Sequence, residues 1–177
     1  GQPATAPVVS LKDSVTARCE TQHYIWIGTQ SKGLYMIKKK NGKVFHITRA
    51  NSIFPSDSIT SMTTNEKGEV YIGTQQGMVR YDNYAFLLIQ TDNSDLTSNK
   101  INSLLCPDGV QIFAGTADGT LTVFTPAGSR HYKGAVHGTA HLVAIEQGAL
   151  KGPVAVYDNE EKYSLQNQQL VQLNLHK

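Results

Sequence analysis

The sequence predicts an all-β protein, a small β-propeller of four four-stranded antiparallel blades whose last blade is degenerate. Three observations lead to this fold class: a short motif that recurs at a nearly constant spacing, four strand-like runs in each repeat, and turn residues between the runs. Propeller blades are four-stranded sheets that commonly repeat about every 40–45 residues. No long window has the 3.6-residue period of an amphipathic helix, so we expect almost no helix.

The recurring motif is an apolar run that ends in Gly-Thr. Its glycines are 45 and then 42 residues apart, and one further step of 42 residues reaches Tyr157, where an apolar run remains but Gly-Thr is absent. We therefore predict four repeats. Their apolar runs are Ile25–Thr29, Val70–Thr74, Ile112–Thr116 and Val154–Asp158.

Each repeat divides into four strand-like runs, of which the motif is the second. The first runs are Ser14–Glu20, Ile59–Asn65, Ile101–Cys106 and Leu142–Gln147. The third runs are Gly33–Lys38, Gly77–Asp82, Thr120–Thr125 and Lys162–Gln166, and the fourth are Val44–Thr48, Phe86–Thr91, Ser129–Lys133 and Leu170–Leu175. Glycine supplies the positive φ of tight turns. The turns between the runs are marked by the dipeptides Asn41-Gly42, Lys67-Gly68, Gln76-Gly77, Asp108-Gly109, Asp118-Gly119 and Ala127-Gly128.

We expect one propeller domain over residues 13–177, after an N-terminal extension at 1–12, with repeats at about 13–52, 53–95, 96–137 and 138–177. A four-stranded blade has two apolar faces, so neighbouring blades must cover both. The aromatic residue of each motif (Trp26, Tyr71 and Phe113) should pack between blades, and the glycine after it should admit the next blade closely. We expect the four units to close into a ring; an open array would leave apolar faces exposed at both ends.

Composition excludes several classes of protein. The 177 residues carry a net charge of +2, are 40% hydrophobic and are 17% charged, which is too apolar and too weakly charged for disorder. No apolar run approaches the roughly 20 residues that span a bilayer, so we expect no membrane insertion. The only basic block is Lys38-Lys39-Lys40, so no nucleic-acid partner is expected. Cys19 and Cys106 lie in repeats one and three, and we expect buried thiols rather than a bridge.

The motifs of repeats one, two and three resemble the two-component-regulator propeller repeat. Residues about 10 to 135 carry the resemblance, through Trp26–Thr29, Phe54–Met62, Val70–Thr74, Gly77-Met78 and Leu96–Leu104. Repeats of that family form periplasmic sensor propellers of hybrid histidine kinases, common in gut Bacteroidetes and taken to detect oligosaccharides. The resemblance implies a non-enzymatic binding module in the periplasm or outside the cell, with an oligosaccharide or another protein as its partner and no cofactor. Because those sensors have more blades, a membrane helix and kinase domains, the chain is expected to be a short stand-alone relative or a fragment.

One candidate ligand site lies at the entrance to each blade. Asp13, Asp57, Asn99 and His141 precede the first strands at equivalent positions. In a closed ring they would surround one mouth of the central channel and bind a sugar hydroxyl or a cation. Alternatively, the Asp and Asn side chains form Asx turns that shape the loops. The repetition favours the turn interpretation, because a shared turn needs the same residue in every blade.

A second candidate site is the cluster of His131, His137, His141 and Glu146. Three histidines could bind zinc with Glu146 as a base, and streptogramin-inactivating lyases share this repeat style and use a His/Glu/metal centre. A metal-dependent propeller lyase is therefore the alternative function, solvated loop histidines the simpler interpretation, and a protein-interaction scaffold a third function. Exposed tyrosines such as Tyr84 and Tyr132 could stack on sugar rings, although tyrosines are also common in edge strands.

Overall fold

The computed structural model describes residues 14–133, 142–147 and 152–173. Within these ranges the chain forms sixteen strands and no α-helix, arranged as four four-stranded antiparallel sheets. The described part of the chain therefore holds no helix that could span a membrane. The all-β fold of four four-stranded blades is confirmed, while the proposed extension at 1–12 lies outside the described residues.

Each blade is a meander in which strand order follows the sequence. Blade 1 contains β1 (Val15–Glu20), β2 (Tyr24–Thr29), β3 (Leu34–Lys38) and β4 (Val44–Ile47), and blade 2 contains β5 (Ile59–Thr64), β6 (Val70–Thr74), β7 (Gly77–Tyr81) and β8 (Phe86–Ile89). Blade 3 contains β9 (Ile101–Leu105), β10 (Ile112–Thr116), β11 (Thr120–Thr125) and β12 (Gly128–Lys133). Blade 4 contains β13 (Leu142–Gln147), β14 (Pro153–Tyr157), β15 (Lys162–Gln166) and β16 (Gln169–Gln172). The first strand of each blade is innermost, because β1, β5, β9 and β13 pack against one another in that order.

In blades 1 to 3 the glycine of the repeated motif leaves a space for a side chain of the next blade, and we call this space the glycine socket. A Cβ atom on Gly73 would lie 2.7 Å from Cγ2 of Ile101, the first residue of the next innermost strand. Gly28 meets Ile59 and Gly115 meets Leu142 in the same way. These three residues at the starts of innermost strands are buried, so each aliphatic side chain fills the space that the missing Cβ leaves.

The threonine after that glycine closes the following hairpin. The hydroxyls of Thr29 and Thr74 donate to the carbonyl oxygens of Gly33 and Gly77 at 2.8 and 2.7 Å. Both threonines are fully buried, and a buried hydroxyl needs such a partner. In the Gly-Thr pair the glycine thus permits packing between blades and the threonine stabilises the hairpin, which agrees with the structural role that the sequence predicts for the pair.

Aromatic and aliphatic side chains fill the space between blades. The core between blades 1 and 2 contains Trp26, which is fully buried and lies 5.0 Å from Tyr81 between ring centroids. The core between blades 2 and 3 contains Met78 and Ile101, and the core between blades 3 and 4 contains Phe113. The predicted packing of the motif aromatics between blades is therefore observed for Trp26 and Phe113, and Tyr71 packs half-buried against the second of these cores.

Blade 4 differs from the others on the face that points away from blade 3. The register places Val156, and not Tyr157, at the position of the motif glycine, because Ala144 pairs with Val156 as Ser61 pairs with Gly73. Val156 therefore fills the socket that glycine leaves open elsewhere. On the same face Val154 replaces the motif aromatic, and Lys162, on the next strand, lies 3.4 Å from Glu146 in an ion pair.

The expected closure of the ring is therefore wrong for the described strands. β13 does not pack against β1 as β1 packs against β5. Val15, which is equivalent to the buried Ile59, is 53% exposed instead of filling a socket. The physical reason lies in blade 4, whose outward face has no glycine socket and carries an ion pair. The four described blades therefore form an arc in which the innermost strands of blades 1 and 4 do not pack together as those of neighbouring blades do.

Candidate ligand-binding cleft

The polar residues before the innermost strands shape the connections between blades. Oδ1 of Asp57 accepts a hydrogen bond from the Arg49 amide at 2.7 Å, and Oδ1 of Asn99 accepts one from the Thr91 amide at 2.8 Å. The two bonds are equivalent in neighbouring blades and both span eight residues. These atoms therefore shape the loops through bonds to a preceding segment rather than through the predicted Asx turns, while Asp13 and His141 lie outside the described residues.

The whole connection repeats between blades, not only the Asp or Asn. Asn51 Oδ1 accepts from the Thr48 amide, and Asn93 Oδ1 accepts from the Gln90 amide. A serine follows each asparagine and bonds the same turn, and Phe54 or Leu96 then enters the core. In the two described connections, before β5 and β9, the Ser-rich motif thus builds the crossover between blades, and its repetition has a structural cause.

The proposed metal cluster is only partly described. His131 is exposed on β12, the outermost strand of blade 3, and Glu146 is exposed on β13, the innermost strand of blade 4. Three strand spacings, about 14 Å, separate β12 from the innermost strand of its own blade, and Glu146 is paired with Lys162. The structure does not bring these two residues together. His137 and His141 lie outside the described residues, and within the described ranges no group of three metal-ligating side chains converges.

Both cysteines are free, half-buried thiols. Burial raises the pKa of Cys19 to about 12, although the charge of Arg18 opposes the shift. Burial likewise raises the pKa of Cys106. Thiols with raised pKa values are poor nucleophiles, so neither cysteine suits nucleophilic catalysis, and the expected absence of a bridge is confirmed.

A cleft of about 570 Å³ opens between blades 1 and 2 at the ends of their strands. Tyr24 and Tyr81 line it from the two blades, and Tyr84 stands at its rim with 93% of its surface exposed. The remaining lining is polar and contains Thr21, Gln22, His23, Lys38, Lys67, Gly68 and Asn83. The size lies within the range of about 300–1,000 Å³ that ligand sites usually have.

The aromatic rings of the cleft belong to a larger cluster between the two blades. The Tyr24 and Trp26 ring centroids are 5.9 Å apart, and the Tyr81 and Phe86 centroids are 5.1 Å apart. Edge-to-face and tilted contacts of this kind fix ring positions. The two tyrosines at the floor of the cleft are therefore held in place by the buried core behind them.

A tight turn holds Tyr84 at the rim. Oδ1 of Asp82 accepts hydrogen bonds from the Tyr84 and Ala85 amides, both at 2.9 Å, and Asn83 has a positive φ of 81°. The Ala85 and Tyr84 amide bonds hold the pKa of Asp82 below its ordinary value. An exposed ring on a rigid turn is a preorganised contact surface.

The second wall of the cleft is also built on a side-chain-stabilised turn. Oδ1 of Asn65 accepts hydrogen bonds from the amides of Lys67 and Glu69 at 3.1 and 3.0 Å. The Glu66 amide bonds the Gly109 carbonyl of blade 3 at 2.8 Å, which ties the turn to the rest of the propeller. Lys67 is thus presented from a fixed backbone.

A second, open groove of about 640 Å³ lies along the outer edge of the two blades. Tyr24 and Tyr81 line both spaces, so the groove and the cleft are adjacent. Phe45, His46 and Asn51 are among the further lining residues of the outer groove.

A smaller cavity of about 230 Å³ lies between blades 2 and 3. Arg80 and Glu69, both of blade 2, form an ion pair in its wall at 2.5 Å. Burial alone would raise the pKa of Glu69, but hydrogen bonds from Arg80 and Asn65 outweigh it and hold the pKa low. This cavity has less than half the volume of the cleft between blades 1 and 2, and its lining has no fully exposed aromatic ring like that of Tyr84.

Sequence reasoning identified one residue of the cleft and missed the rest. Tyr84 is a predicted sugar-stacking residue and is the most exposed large hydrophobic side chain of the described chain. Tyr132, predicted with it, is instead half-buried against the core between blades 3 and 4. Tyr24 and Lys67 lie on different repeats, so only the docking of blade 1 on blade 2 brings them to one cleft. The available signal was the aromatic and basic content of blades 1 and 2.

No family model and no curated protein sequence matches this chain. Many solved structures do share its fold. The extracellular domain of a one-component system from B. thetaiotaomicron superposes with a TM-score of 0.77 at 21% identity, over 99% of this chain and 24% of that chain. The extracellular domain of a hybrid two-component system from the same organism gives 0.65 at 16% identity, over 85% and 20%.

Virginiamycin B lyase from Staphylococcus aureus has the same propeller fold, with a TM-score of 0.73 at 11% identity over 92% of this chain and 56% of the lyase. The chain spans about a quarter of the length of the one-component domain and about half of the lyase. It therefore superposes on part of larger propellers. The chain is a β-propeller similar in fold to the extracellular domains of Bacteroides two-component systems, as its sequence motifs predict.

Proposed function

We propose that this chain is a non-enzymatic binding module of the sensor type, that it acts in the periplasm or outside the cell, and that it binds an oligosaccharide in the cleft between blades 1 and 2. The observation that carries the proposal is the exposed ring of Tyr84 at the rim of a cleft whose floor contains Tyr24 and Tyr81. Sugar rings have apolar faces that pack on aromatic side chains and hydroxyls that need polar partners.

The polar lining suits the hydroxyl groups of a sugar. Gln22 and Asn83 each offer an amide with both donor and acceptor atoms, and Thr21 offers a hydroxyl. The Thr21 hydroxyl also accepts from Trp26 Nε1 at 3.1 Å, which fixes its position. A few fixed polar groups around aromatic rings are what orientation of a small ligand requires.

The comparisons support the sensor type and the location. Two of the similar structures are extracellular domains of bacterial signalling systems, and the resemblance of the repeat motifs implies the same class. The set of Asp13, Asp57, Asn99 and His141 at the blade entrances stays a second predicted contact surface, of which Asp57 and Asn99 are described. Asp57 lies at the opposite end of β5 from the cleft, roughly 20 Å away along the strand.

The experiment is a binding measurement with the chain and with two variants at position 84. Calorimetric titration against a panel of oligosaccharides should find a ligand for the wild type. Tyr84→Ala should weaken that binding about five- to tenfold, because the stacking surface is lost, whereas Tyr84→Phe should retain it. Both variants should unfold at the wild-type temperature, since the side chain is almost wholly exposed. Equal binding by wild type and Tyr84→Ala would contradict the proposal.

Two other functions stay as alternatives. A metal-dependent lyase needs a metal bound by His131, His137, His141 and Glu146; its support is the shared fold of virginiamycin B lyase. Metal content measured after purification in zinc-containing buffer, with and without His141→Ala, tests it. A protein-interaction scaffold would instead retain a protein partner regardless of Tyr84.

A further inference from the structure

We propose that the cleft between blades 1 and 2 selects oligosaccharides that carry acidic groups, either uronic acid carboxylates or sulfate esters. The inference rests on the proposed function and names the ligand class of the same site. It follows from the charges that line the cleft, which are those of Lys38 and Lys67, without a carboxylate among the lining residues.

The two lysines stand on opposite walls. Lys38 ends β3 in blade 1, and Lys67 lies in the turn between β5 and β6 in blade 2. Neither ammonium group lies within 4 Å of a carboxylate in the described part of the chain, whereas the neighbouring Lys39 is paired with Glu20 at 2.8 Å. The cleft therefore presents two cations that can pair with anions, one on each side of its tyrosines.

Two acidic residues near the cleft, Glu20 and Asp82, are already engaged in contacts of their own. Glu20 accepts from Lys39 and Arg18, and the Lys39 hydrogen bond in particular holds its pKa low. Oδ1 of Asp82 accepts hydrogen bonds from two amides of its own turn. Their charges are thus partly compensated locally, and the side chains facing a bound ligand remain basic and aromatic.

The arrangement matches the shape of an acidic sugar. Such a ligand would place a ring face against the tyrosines and its acidic groups toward the lysine of either blade, where charge-assisted hydrogen bonds are stronger than neutral ones. Carboxylates and sulfates share this chemistry, since both offer several acceptor oxygens with negative charge. Surface charges also raise the association rate and make binding sensitive to salt.

The test measures affinity for three oligosaccharides of equal length: neutral, uronate-containing and sulfated. We expect the wild type to bind at least one acidic oligosaccharide tenfold or more tightly than the neutral one, with affinity falling as salt rises. Lys38→Gln and Lys67→Gln should each weaken acidic binding about three- to tenfold and leave neutral binding unchanged. Chemical reduction of the uronate carboxyls should have the same effect without altering the protein.

Lys100→Gln and Lys133→Gln are the matched controls, because both residues are exposed on blade 3 and remove the same charge. Equal weakening by the controls would overturn the inference, since it would reflect only net charge. Equal affinity for neutral and acidic oligosaccharides would also overturn it while leaving the proposed function intact. Failure to bind any oligosaccharide would overturn the proposed function and this inference together. The preference between uronate and sulfate identifies which acidic group the cleft accepts.

Discussion

Gly73 and Val156 occupy equivalent positions in blades 2 and 4, and the difference between them decides what each blade can pack against. At Gly73 the missing Cβ admits Ile101 of the next blade. At Val156 two γ-methyl groups fill the same place. Tyr157, at the position of the motif threonine, is buried and donates from its hydroxyl to the Gly119 carbonyl of blade 3 at 2.6 Å. Blade 4 therefore contacts blade 3 through one face, and on its opposite face Val156 leaves no glycine socket.

Gly73→Ala should destabilise the protein by about 1–3 kcal/mol, the usual cost of overpacking a tight interface. The new methyl group would overlap Ile101, and this overlap should exceed the roughly 0.5–1 kcal/mol that alanine gains over glycine in a strand. Urea denaturation measures the change. Val156→Ala is the control at the equivalent position and should cost about 1 kcal/mol or less, because this side chain is only half-buried. Wild-type stability for Gly73→Ala would show that the socket is not tight.

The turns between strands depend on short side chains that bind their own backbone. Asp108 Oδ1 accepts from the Val110 and Gln111 amides, and Asp118 Oδ1 accepts from the Thr116 hydroxyl and the Thr120 amide. Burial tends to raise the pKa of both carboxyls, but these hydrogen bonds outweigh it and hold both pKa values below the ordinary range. The carboxylate form therefore stabilises the fold.

These lowered pKa values predict a loss of stability in acid. Because the folded-state pKa lies below the unfolded one, the stabilisation is complete above the unfolded value near 4 and disappears as the pH falls through the lower, folded-state values. The urea midpoint should be level from pH 7 to about 5 and should fall between about pH 4 and 2. Asp118→Asn should flatten this fall, whereas Asp92→Asn, at an exposed position in the connection between blades 2 and 3, should leave it unchanged. A stability that rises on acidification would contradict the account.

At the scale of the described molecule the four blades form an arc. Blades 1 to 3 each present a glycine socket to the next blade, and blade 4 presents Val156 and the Glu146–Lys162 ion pair. The fold superposes on parts of larger propellers. Blades 1 to 3 keep the motif glycine that receives the next blade, and blade 4 has Val156 instead. The repeat motif is therefore weaker in the last 40 residues although the strands persist.

The strands and turns were predictable because they depend on local patterns. The motif threonine and the Asx-Gly turns act within one blade, so their positions could be predicted from the sequence, and β5 begins at Ile59 as predicted. Ring closure could not be predicted, because it depends on whether Val156 or a glycine faces the next blade. A count of 42 residues placed Tyr157 there, and the register differs by one residue. The cleft was equally inaccessible, since Tyr24 and Lys67 become neighbours only when two blades pack together.

Backbone amide shifts recorded during an oligosaccharide titration test the central claim most directly. Isotope-labelled protein should show ligand-dependent shifts concentrated at residues 21–24, 67–68 and 81–84, which line the cleft between blades 1 and 2. The Asp57 and Asn99 amides lie at the other end of the innermost strands and should not change. Shifts concentrated at Asp57 and Asn99, with none around Tyr84, would contradict the account and move the binding site to the channel mouth.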